Sequence, residues 1–223
     1  MNSWSAQLIS YYSELHPPEL PQPTEWLHPQ KQEAVMEVVQ AFYSKYYNDQ
    51  KPRILFLGIN PGRYGAGITG INFTAPRQLE TCCGIDHPFK DQSELSAEFI
   101  YEMIHAFGGP ADFFKKCFLG SVCPLGLIRN GKNINYYDDR EVQKICEPFI
   151  INSMNRLLMM PVKPVAISLG EGKNYKYLNA LNKKHKWFKE VRALPHPRYI
   201  MQYKRKEKQA FIGTYLEVIE EYI

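Results

Sequence analysis

Residues 53–73, RILFLGINPGRYGAGITGINF, join a short apolar run to a loop rich in glycine. The run at residues 54–57 is typical of a buried parallel strand, and Gly58 and Pro61 follow it closely. Ligands of α/β proteins usually bind at the carboxyl edge of such a strand. These residues therefore predict an α/β protein whose ligand site includes Asn60, at the end of this strand.

Three more apolar runs predict further strands at residues 117–122, 165–169 and 191–194. Helical patterns separate the runs, at residues 30–47, 74–84, 96–107 and 139–159, between Gly170 and Lys184, and near the C-terminus. Thr74 and Ser96 are expected to cap two of these helices. Strands that alternate with helices predict right-handed crossovers and a three-layer α/β/α sandwich around a mostly parallel four-stranded sheet.

The size and composition of the chain predict a single domain. A length of 223 residues with 44% apolar residues is sufficient for one large core, so we assign residues 1–223 to one domain. Prolines between residues 17 and 23 prevent a continuous helix in residues 1–28, which we expect to form an arm over the domain. The apolar runs are shorter than the roughly 20 residues that span a membrane, and the N-terminus lacks a signal-peptide pattern. We expect an intracellular protein with no membrane partner.

The cysteine pattern and the absence of common motifs argue against disulfides, metal sites and several classes of enzyme. The five cysteines are odd in number and do not indicate a disulfide framework, and the spacing of Cys117 and Cys123 matches no metal site. The chain also lacks a P-loop lysine, a dinucleotide fingerprint, a GxSxG nucleophile and a pair of glycosidase acids. We predict that the protein binds no metal and needs no cofactor.

Positive charge is concentrated near the C-terminus. The formal net charge is +4, but residues 182–208 hold ten Lys or Arg and two Glu, an excess of eight positive charges. Aromatic residues lie between the basic ones, which is typical of a surface that contacts phosphates and stacks on bases. A solvated helical face explains the same pattern without a nucleic acid.

Three of the predicted strands lead into loops with polar side chains. Parallel strands bring their carboxyl ends to one edge of a sheet, so we expect Asn60, Ser121 and His196 to surround one glycine-lined cavity. Each residue also has a structural interpretation. An amide in a turn can bond to its own backbone, and a lone histidine is often a buried structural residue or a surface one.

Four segments follow one another in a recognisable order. They are LFLGINPGRYGAGITGINF at 55–73, the run at 118–125 that ends in Cys-Pro-Leu, ISLGEG at 167–172, and LPHPR at 194–198. In order and spacing they resemble the single-strand-selective monofunctional uracil-DNA glycosylases, a family of the uracil-DNA glycosylase superfamily. The chain is similar to a divergent second branch of it, because Ser121 stands where the family usually has Asn and His-Pro-Arg replaces His-Pro-Ser-Pro-Arg.

The resemblance implies an enzyme that flips a damaged base out of DNA and hydrolyses its N-glycosidic bond. It also implies two catalytic residues. Asn60 matches the residue that positions the attacking water, and His196 matches the histidine that faces O2 of the departing base and stabilises its negative charge. No lysine lies in the glycine loop or directly beside the histidine, so we expect monofunctional hydrolysis without a Schiff base.

A base pocket follows from the same resemblance. Phe73 is expected to stack on the flipped base, Gly62 to leave room near its C5, and Ile59 and Ser121 to complete the pocket. Room at C5 fits 5-hydroxymethyluracil as well as uracil. A hydroxyl offers one donor and a rotatable acceptor, whereas the family's Asn can donate and accept along one edge, so we expect looser base discrimination that extends to xanthine or hypoxanthine.

DNA is the partner that the resemblance implies. In the family, the loop and helix after the histidine enter the duplex. We therefore expect Arg198 or Tyr199 to wedge the base stack and Lys204, Arg205 and Lys206 to contact phosphates, in a protein that acts as a monomer.

Two other functions stay open at this point. One is a catalytically inactive module of the same fold that binds DNA damage. The other is a hydrolase of free nucleosides, which would not need the basic segment at residues 182–208. The presence of both Asn60 and His196 favours the glycosylase.

Overall fold

The structure, a computed structural model, describes residues 3–223. Its strands are β1 Thr24–Leu27, β2 Arg53–Gly58, β3 Cys117–Ser121, β4 Gly126–Arg129, β5 Lys132–Ile134, β6 Val162–Leu169 and β7 Glu190–Leu194. Its α-helices are α1 Trp4–Ser13, α2 Glu33–Tyr46, α3 Ala66–Thr69, α4 Pro76–Thr81, α5 Leu95–Phe107, α6 Pro110–Lys116, α7 Arg140–Leu157, α8 Lys173–His185, α9 Pro197–Tyr203 and α10 Lys208–Tyr222. Within residues 3–223, every helix is too short or too polar to span a bilayer.

The central sheet has the order β3-β2-β6-β7, and all three pairings are parallel. Helices flank it, which confirms the predicted α/β/α sandwich and its four strands. Every residue of β2 is buried, because a parallel strand between helical layers has both faces in the core. Gly58 pairs with Ser121, and Leu169 pairs with Leu194, so the carboxyl ends of neighbouring strands lie level with one another.

A second, antiparallel sheet with the order β1-β4-β5 was not expected from the sequence. The chain forms the hairpin β4–β5 at residues 126–134, a region for which the sequence predicted no strand. Asn130 and Gly131 connect the two strands, and both have positive φ, 51° and 69°. Asn-Gly is the preferred pair for such a two-residue hairpin turn. The strands themselves have only three or four residues, too few for a clear apolar alternation.

The N-terminal segment packs into the domain core. Trp4 of α1 is fully buried, and its indole N–H donates to the carbonyl of Lys51 at 3.0 Å. The guanidinium of Arg53, also fully buried, lies 5.1 Å from the Trp4 ring and forms an ion pair with Asp49 at 2.8 Å. A buried charge is tolerated when it is paired in this way. Residues 1 and 2 of the expected arm lie outside the described residues.

Two predicted helix caps are wrong. The N-cap of α4 is Ala75, while the Thr74 hydroxyl donates to the carbonyl of Asn72 at 3.2 Å and lies 3.0 Å from the Tyr101 hydroxyl. The N-cap of α5 is Glu94, and Ser96 lies inside the helix, where its hydroxyl donates to the Glu94 carboxylate. α4 thus begins one residue later, and α5 two residues earlier, than caps at Thr74 and Ser96 would require.

Candidate active site

A cleft of about 570 Å³ lies at the carboxyl edge of the central sheet. Eight of the residues singled out in the sequence line it: Ile59, Asn60, Gly62, Phe73, Ser121, His196, Arg198 and Tyr199. The other three, Lys204, Arg205 and Lys206, do not line it but follow the end of α9. The parallel sheet explains the convergence, because it places the loops after β2, β3 and β7 at the same edge.

Both ends of the Asn60 amide are hydrogen-bonded to the end of β5 and to the segment that follows it. Its Nδ2 donates to the carbonyl of Ile134 at 3.1 Å, and its Oδ1 accepts the backbone N–H of Tyr136 at 3.1 Å. The amide therefore holds two distant parts of the chain together. An amide can form further hydrogen bonds, so one N–H and one lone pair stay available to a ligand or a water.

The His196 ring is held in a defined tautomer. His196 caps the N-terminus of α9, and its Nδ1 accepts the backbone N–H of Arg198 at 3.1 Å. Because Nδ1 is the acceptor, the proton of the neutral ring is on Nε2. Burial, reinforced by the charge of Arg198, lowers the pKa of His196 to about 4. The ring is therefore neutral near pH 7, with Nε2–H as a donor.

Phe73 has an unusual backbone conformation beside the histidine. Its φ is 56°, in the left-handed region that non-glycine residues rarely occupy, and the centroid of its ring lies 6.3 Å from that of His196. The Thr69 hydroxyl stabilises this turn by donating to the carbonyl of Thr74 at 2.6 Å. Gly58 lies against the Phe73 ring, because a Cβ there would be 2.6 Å from Phe73 Cζ.

Ser121 contributes a hydroxyl whose partner, Asn72, was not expected from the sequence. Its Oγ donates to Oδ1 of Asn72 at 2.6 Å, and Asn72 also lines the cleft. The only available signal was its position directly before Phe73 in the glycine-rich loop. Loop residues of this kind have no periodicity from which a contact can be inferred.

The rim of the cleft contains charged and aromatic residues. Arg198 forms an ion pair with Glu94 at 3.5 Å, and Glu94 is a further lining residue that the sequence did not indicate. Tyr199 and Tyr203 are 46% and 72% exposed, with ring centroids 5.6 Å apart. Large exposed aromatic rings beside a cleft are suited to contact with a ligand larger than the cleft itself.

The basic residues after α9 differ in their partners. Lys204 forms an ion pair with Glu207 at 3.0 Å. Within residues 3–223, Arg205 and Lys206 have no acidic side chain within ion-pair distance, and both are exposed. In the same part of the chain, no group of three or more His, Cys, Asp or Glu side chains is placed to hold a metal ion.

Comparison with known proteins identifies the family. Residues 44–220 match the sequence profile of the uracil DNA glycosylase superfamily. The chain belongs to this superfamily.

The single-strand selective monofunctional uracil DNA glycosylase of Bos taurus is 31% identical over 120 residues, which is 46% of this chain and 44% of the bovine protein. The rat protein of the same name is 30% identical over 114 residues, 43% of this chain and 41% of its own length. The matched part thus spans less than half of these curated relatives.

A solved structure is similar along nearly the whole chain. The crystal structure of wild-type Pedobacter heparinus SMUG2 superposes with a TM-score of 0.94 and is 41% identical, covering 99% of this chain and 98% of that one. The resemblance inferred from the four sequence segments is therefore confirmed.

Proposed function

We propose that the protein is a monofunctional DNA glycosylase that hydrolyses the N-glycosidic bond of uracil in DNA. One observation supports this function above all others. Asn60 and His196, the two residues to which the resemblance assigns catalytic roles, line the same cleft in a chain of the superfamily. The names of the relatives, which are uracil DNA glycosylases, support the same class of reaction.

His196 would stabilise the departing base. When the N-glycosidic bond breaks, the base keeps the bonding electrons and uracil gains negative charge at O2. A neutral ring that donates Nε2–H to this oxygen interacts more strongly with the transition state than with the intact nucleotide. The bond from Arg198 N–H to Nδ1 keeps the proton on the nitrogen that the reaction needs.

The pH dependence of the reaction follows from the lowered pKa of His196. We expect the single-turnover rate of uracil release to stay level between pH 5.5 and 8, because the ring is neutral throughout this range. The neutral ring is lost only as the pH falls through about 4, where Nδ1 takes up a proton and can no longer accept the Arg198 N–H. A rate that rises about tenfold per unit of acidification below pH 7 would show that the protonated ring is the active form.

Asn60 would position the water. Its amide is already fixed by Ile134 and Tyr136, so its remaining polar atoms have a defined direction. An amide is too weak a base to remove a proton early, and its contribution is to orient a water toward C1′ of a sugar that already carries positive charge. The water oxygen forms the new bond to C1′ and releases a proton, which neutralises the departed uracil anion, so that the products are neutral uracil and an abasic sugar.

The flipped base would stack on Phe73. Such stacking contributes about 1–3 kcal/mol per base. The left-handed backbone at Phe73 directs its ring into the cleft, and the absence of a side chain at Gly58 leaves the space that the ring occupies. The ring is therefore in position before a base arrives. Ile59 follows directly on β2, where its carbonyl accepts the N–H of Cys123 at 3.0 Å, and it forms an adjacent wall of the cleft.

A substitution at Gly58 tests this stacking arrangement. Gly58→Ala places a methyl group in the position of the Phe73 ring, and we expect uracil release to slow about tenfold, as for a weakened base stack. Gly213→Ala is the matched control, because Gly213 lies in α10 and, apart from its own helix backbone, nothing lies within 4 Å of the added Cβ. Equal rates for the two variants in a single-turnover assay would contradict the assigned role of Phe73.

The substrate range would extend beyond uracil. At Gly62 an added Cβ would lie 3.4 Å from Nδ2 of Asn133, so the glycine keeps this part of the cleft open for a substituent such as that of 5-hydroxymethyluracil. Ser121 presents one polar atom to the base edge, where an Asn would present both a donor and an acceptor, so fewer contacts restrict the base. We therefore include xanthine and hypoxanthine among the expected substrates.

DNA would bind across the rim of the cleft. Arg198 and Tyr199 lie at the mouth, where one of them would occupy the space of the flipped nucleotide. Lys204, Arg205 and Lys206 follow in the chain and would contact phosphates, a type of contact that gives affinity without sequence preference.

Salt dependence tests the phosphate contacts. The double variant Arg205→Ala/Lys206→Ala should bind duplex DNA more weakly and reduce the slope of log K against log salt by about 1.8, as expected for two lost contacts. Lys51→Ala is the control, because Lys51 is exposed and precedes β2 at the opposite edge of the sheet. The assignment is wrong if fluorescence anisotropy gives the same slope for both variants.

A substrate panel tests the proposed function. Purified protein is incubated with duplex and single-stranded oligonucleotides that contain uracil, 5-hydroxymethyluracil, hypoxanthine or xanthine, and with free deoxyuridine. We expect base release from the oligonucleotides and none from the nucleoside. Tight binding without release would support an inactive damage-binding module, and hydrolysis of deoxyuridine alone would support a nucleoside hydrolase.

A further inference from the structure

We propose that Asn72 determines which bases the cleft accepts, by fixing the Ser121 hydroxyl as a hydrogen-bond acceptor toward the base. This inference rests on the proposed function, since it concerns a base held in the same cleft. Asn72 would act through Ser121 and is therefore a positioning residue rather than a catalytic one.

Asn72 is held firmly. Its side chain is only 4% exposed, and its Nδ2 donates to the hydroxyl of Tyr12, in α1, at 3.2 Å. The backbone carbonyl of Asn72 accepts a hydrogen bond from the hydroxyl of Thr74 at 3.2 Å. On the cleft side, its Oδ1 accepts the hydroxyl of Ser121 at 2.6 Å. Since α1 supplies the far partner, the N-terminal helix is part of the arrangement.

The two distances support this orientation of the amide. An O–H donor to a carbonyl oxygen is typically 2.5–3.0 Å away, whereas an N–H donor is 2.7–3.2 Å away. The contact of 2.6 Å to Ser121 fits a hydroxyl that donates to Oδ1, and the contact of 3.2 Å to Tyr12 fits an amide N–H. The reversed amide would place N–H at the shorter contact, which is below the usual range.

The hydroxyl of Ser121 can then form only one kind of hydrogen bond with a ligand. A serine hydroxyl carries a single hydrogen and two lone pairs, and the hydrogen is directed to Asn72. The oxygen can only accept a hydrogen bond from a ligand. Asn72 thus converts a group that normally donates or accepts into an acceptor of fixed direction.

Ser121 is well placed to contact a stacked base. It pairs with Gly58 across the β2–β3 pairing, and Gly58 is the residue that lies against the Phe73 ring. A base that stacks on Phe73 therefore lies next to the end of β3. Both Ser121 and Asn72 line this part of the cleft.

An acceptor at this position selects bases that present a ring N–H. Uracil carries N3–H, and hypoxanthine and xanthine carry N1–H, whereas cytosine N3 and adenine N1 are lone pairs that would face the Ser121 oxygen. Deamination of cytosine or adenine is the change that replaces this lone pair with N–H. One fixed acceptor would thus recognise deaminated pyrimidines and purines together and exclude cytosine and adenine. Guanine also has N1–H, so its exclusion needs another contact.

The test measures binding rather than turnover. Duplexes with 2′-fluoroarabinouridine or 2′-fluoroarabinocytidine at one position resist cleavage, and the ratio of their Kd values reports recognition of the base. We expect the wild-type protein to prefer the uracil analogue at least tenfold, roughly the effect of one hydrogen bond and one avoided lone-pair contact. Asn72→Leu frees the Ser121 hydroxyl to rotate and donate to cytosine, so the ratio should fall close to one.

A double-mutant cycle separates this role from a general structural one. Ser121→Ala should also reduce the ratio, and adding Asn72→Leu to Ser121→Ala should change it no further, because Asn72 acts only through the hydroxyl. If Asn72→Leu does not fold, Tyr12→Phe replaces it, since this variant removes the partner of Nδ2 while keeping the ring. The proposal is overturned if these variants leave the ratio of the two Kd values unchanged. It is also overturned if Asn72→Leu changes this ratio equally in the wild-type protein and in Ser121→Ala.

The outcomes distinguish this inference from the proposed function. If the wild-type protein releases uracil but Asn72→Leu keeps the wild-type Kd ratio, the inference fails and the function stands. If no base is released but the Kd ratio depends on Asn72, the proposed function is wrong and the role of Asn72 in base recognition is supported.

Discussion

Replacing His196 with alanine is expected to slow uracil release by about 10²–10³-fold in single-turnover experiments, the usual effect of removing one preorganised donor from a site of developing negative charge. In the proposed mechanism, the Nε2–H of His196 is this donor, because the Arg198 N–H occupies Nδ1 and burial keeps the ring neutral. The affinity for uracil-containing DNA should change little, since this interaction strengthens only as the base departs.

Two further variants sharpen the test of His196. His196→Gln retains a side-chain N–H and should recover part of the lost rate. His105→Ala is the matched control, because His105 is an exposed histidine near the end of α5. If His196→Ala and His105→Ala release uracil at the same rate, the catalytic role of His196 is excluded.

Asn60→Ala should have the second large effect, a loss of about 10²-fold, which is typical when a reacting group is no longer held in position. The substitution also leaves the carbonyl of Ile134 and the N–H of Tyr136 without their partner, so we expect a lower free energy of unfolding by about 1–3 kcal/mol. Single-turnover kinetics and urea unfolding measure the two effects separately.

The variant Asn60→Asp helps to separate the catalytic effect of Asn60 from its effect on stability. The carboxylate keeps an oxygen for the Tyr136 N–H but loses the donor to Ile134, so hydrogen exchange at Tyr136 should stay slower than in Asn60→Ala. If Asn60→Ala lowers stability but releases uracil at the wild-type rate, Asn60 serves only to attach the segment after β5, and another group must orient the water.

The sheet could be predicted because of how its strands are buried. A parallel strand between two helical layers is apolar on both faces, so β2, β3 and β6 each include a nearly continuous apolar run. The run in β7, at the edge of the sheet, is short and is interrupted by Arg192. The common edge of the sheet then brings the loops that follow β2, β3 and β7 together. For this reason the sequence alone predicts that Asn60, Ser121 and His196 lie at one site, and all three line the cleft.

Contacts that depend on irregular backbone could not be predicted. Asn72 lies in a loop in which the next residue has positive φ, and nothing in its sequence indicates a partner as distant as Tyr12. The hairpin β4–β5 is too short to show alternation, so its attachment to Asn60 was also missed. The caps at Thr74 and Ser96 were assigned wrongly because the residue type favours a cap without fixing where the helix begins: α4 starts one residue later and α5 two residues earlier than expected.

Isotope incorporation tests the proposed hydrolysis most directly. A uracil-containing duplex is incubated with the protein in water enriched in ¹⁸O, and the products are analysed by mass spectrometry. We predict free, unlabelled uracil and an intact strand whose abasic sugar carries ¹⁸O, because the water positioned by Asn60 adds to C1′ while the base departs toward His196. The absence of released uracil, or a strand that is cleaved through a covalent lysine adduct trapped by borohydride, would contradict a monofunctional glycosylase.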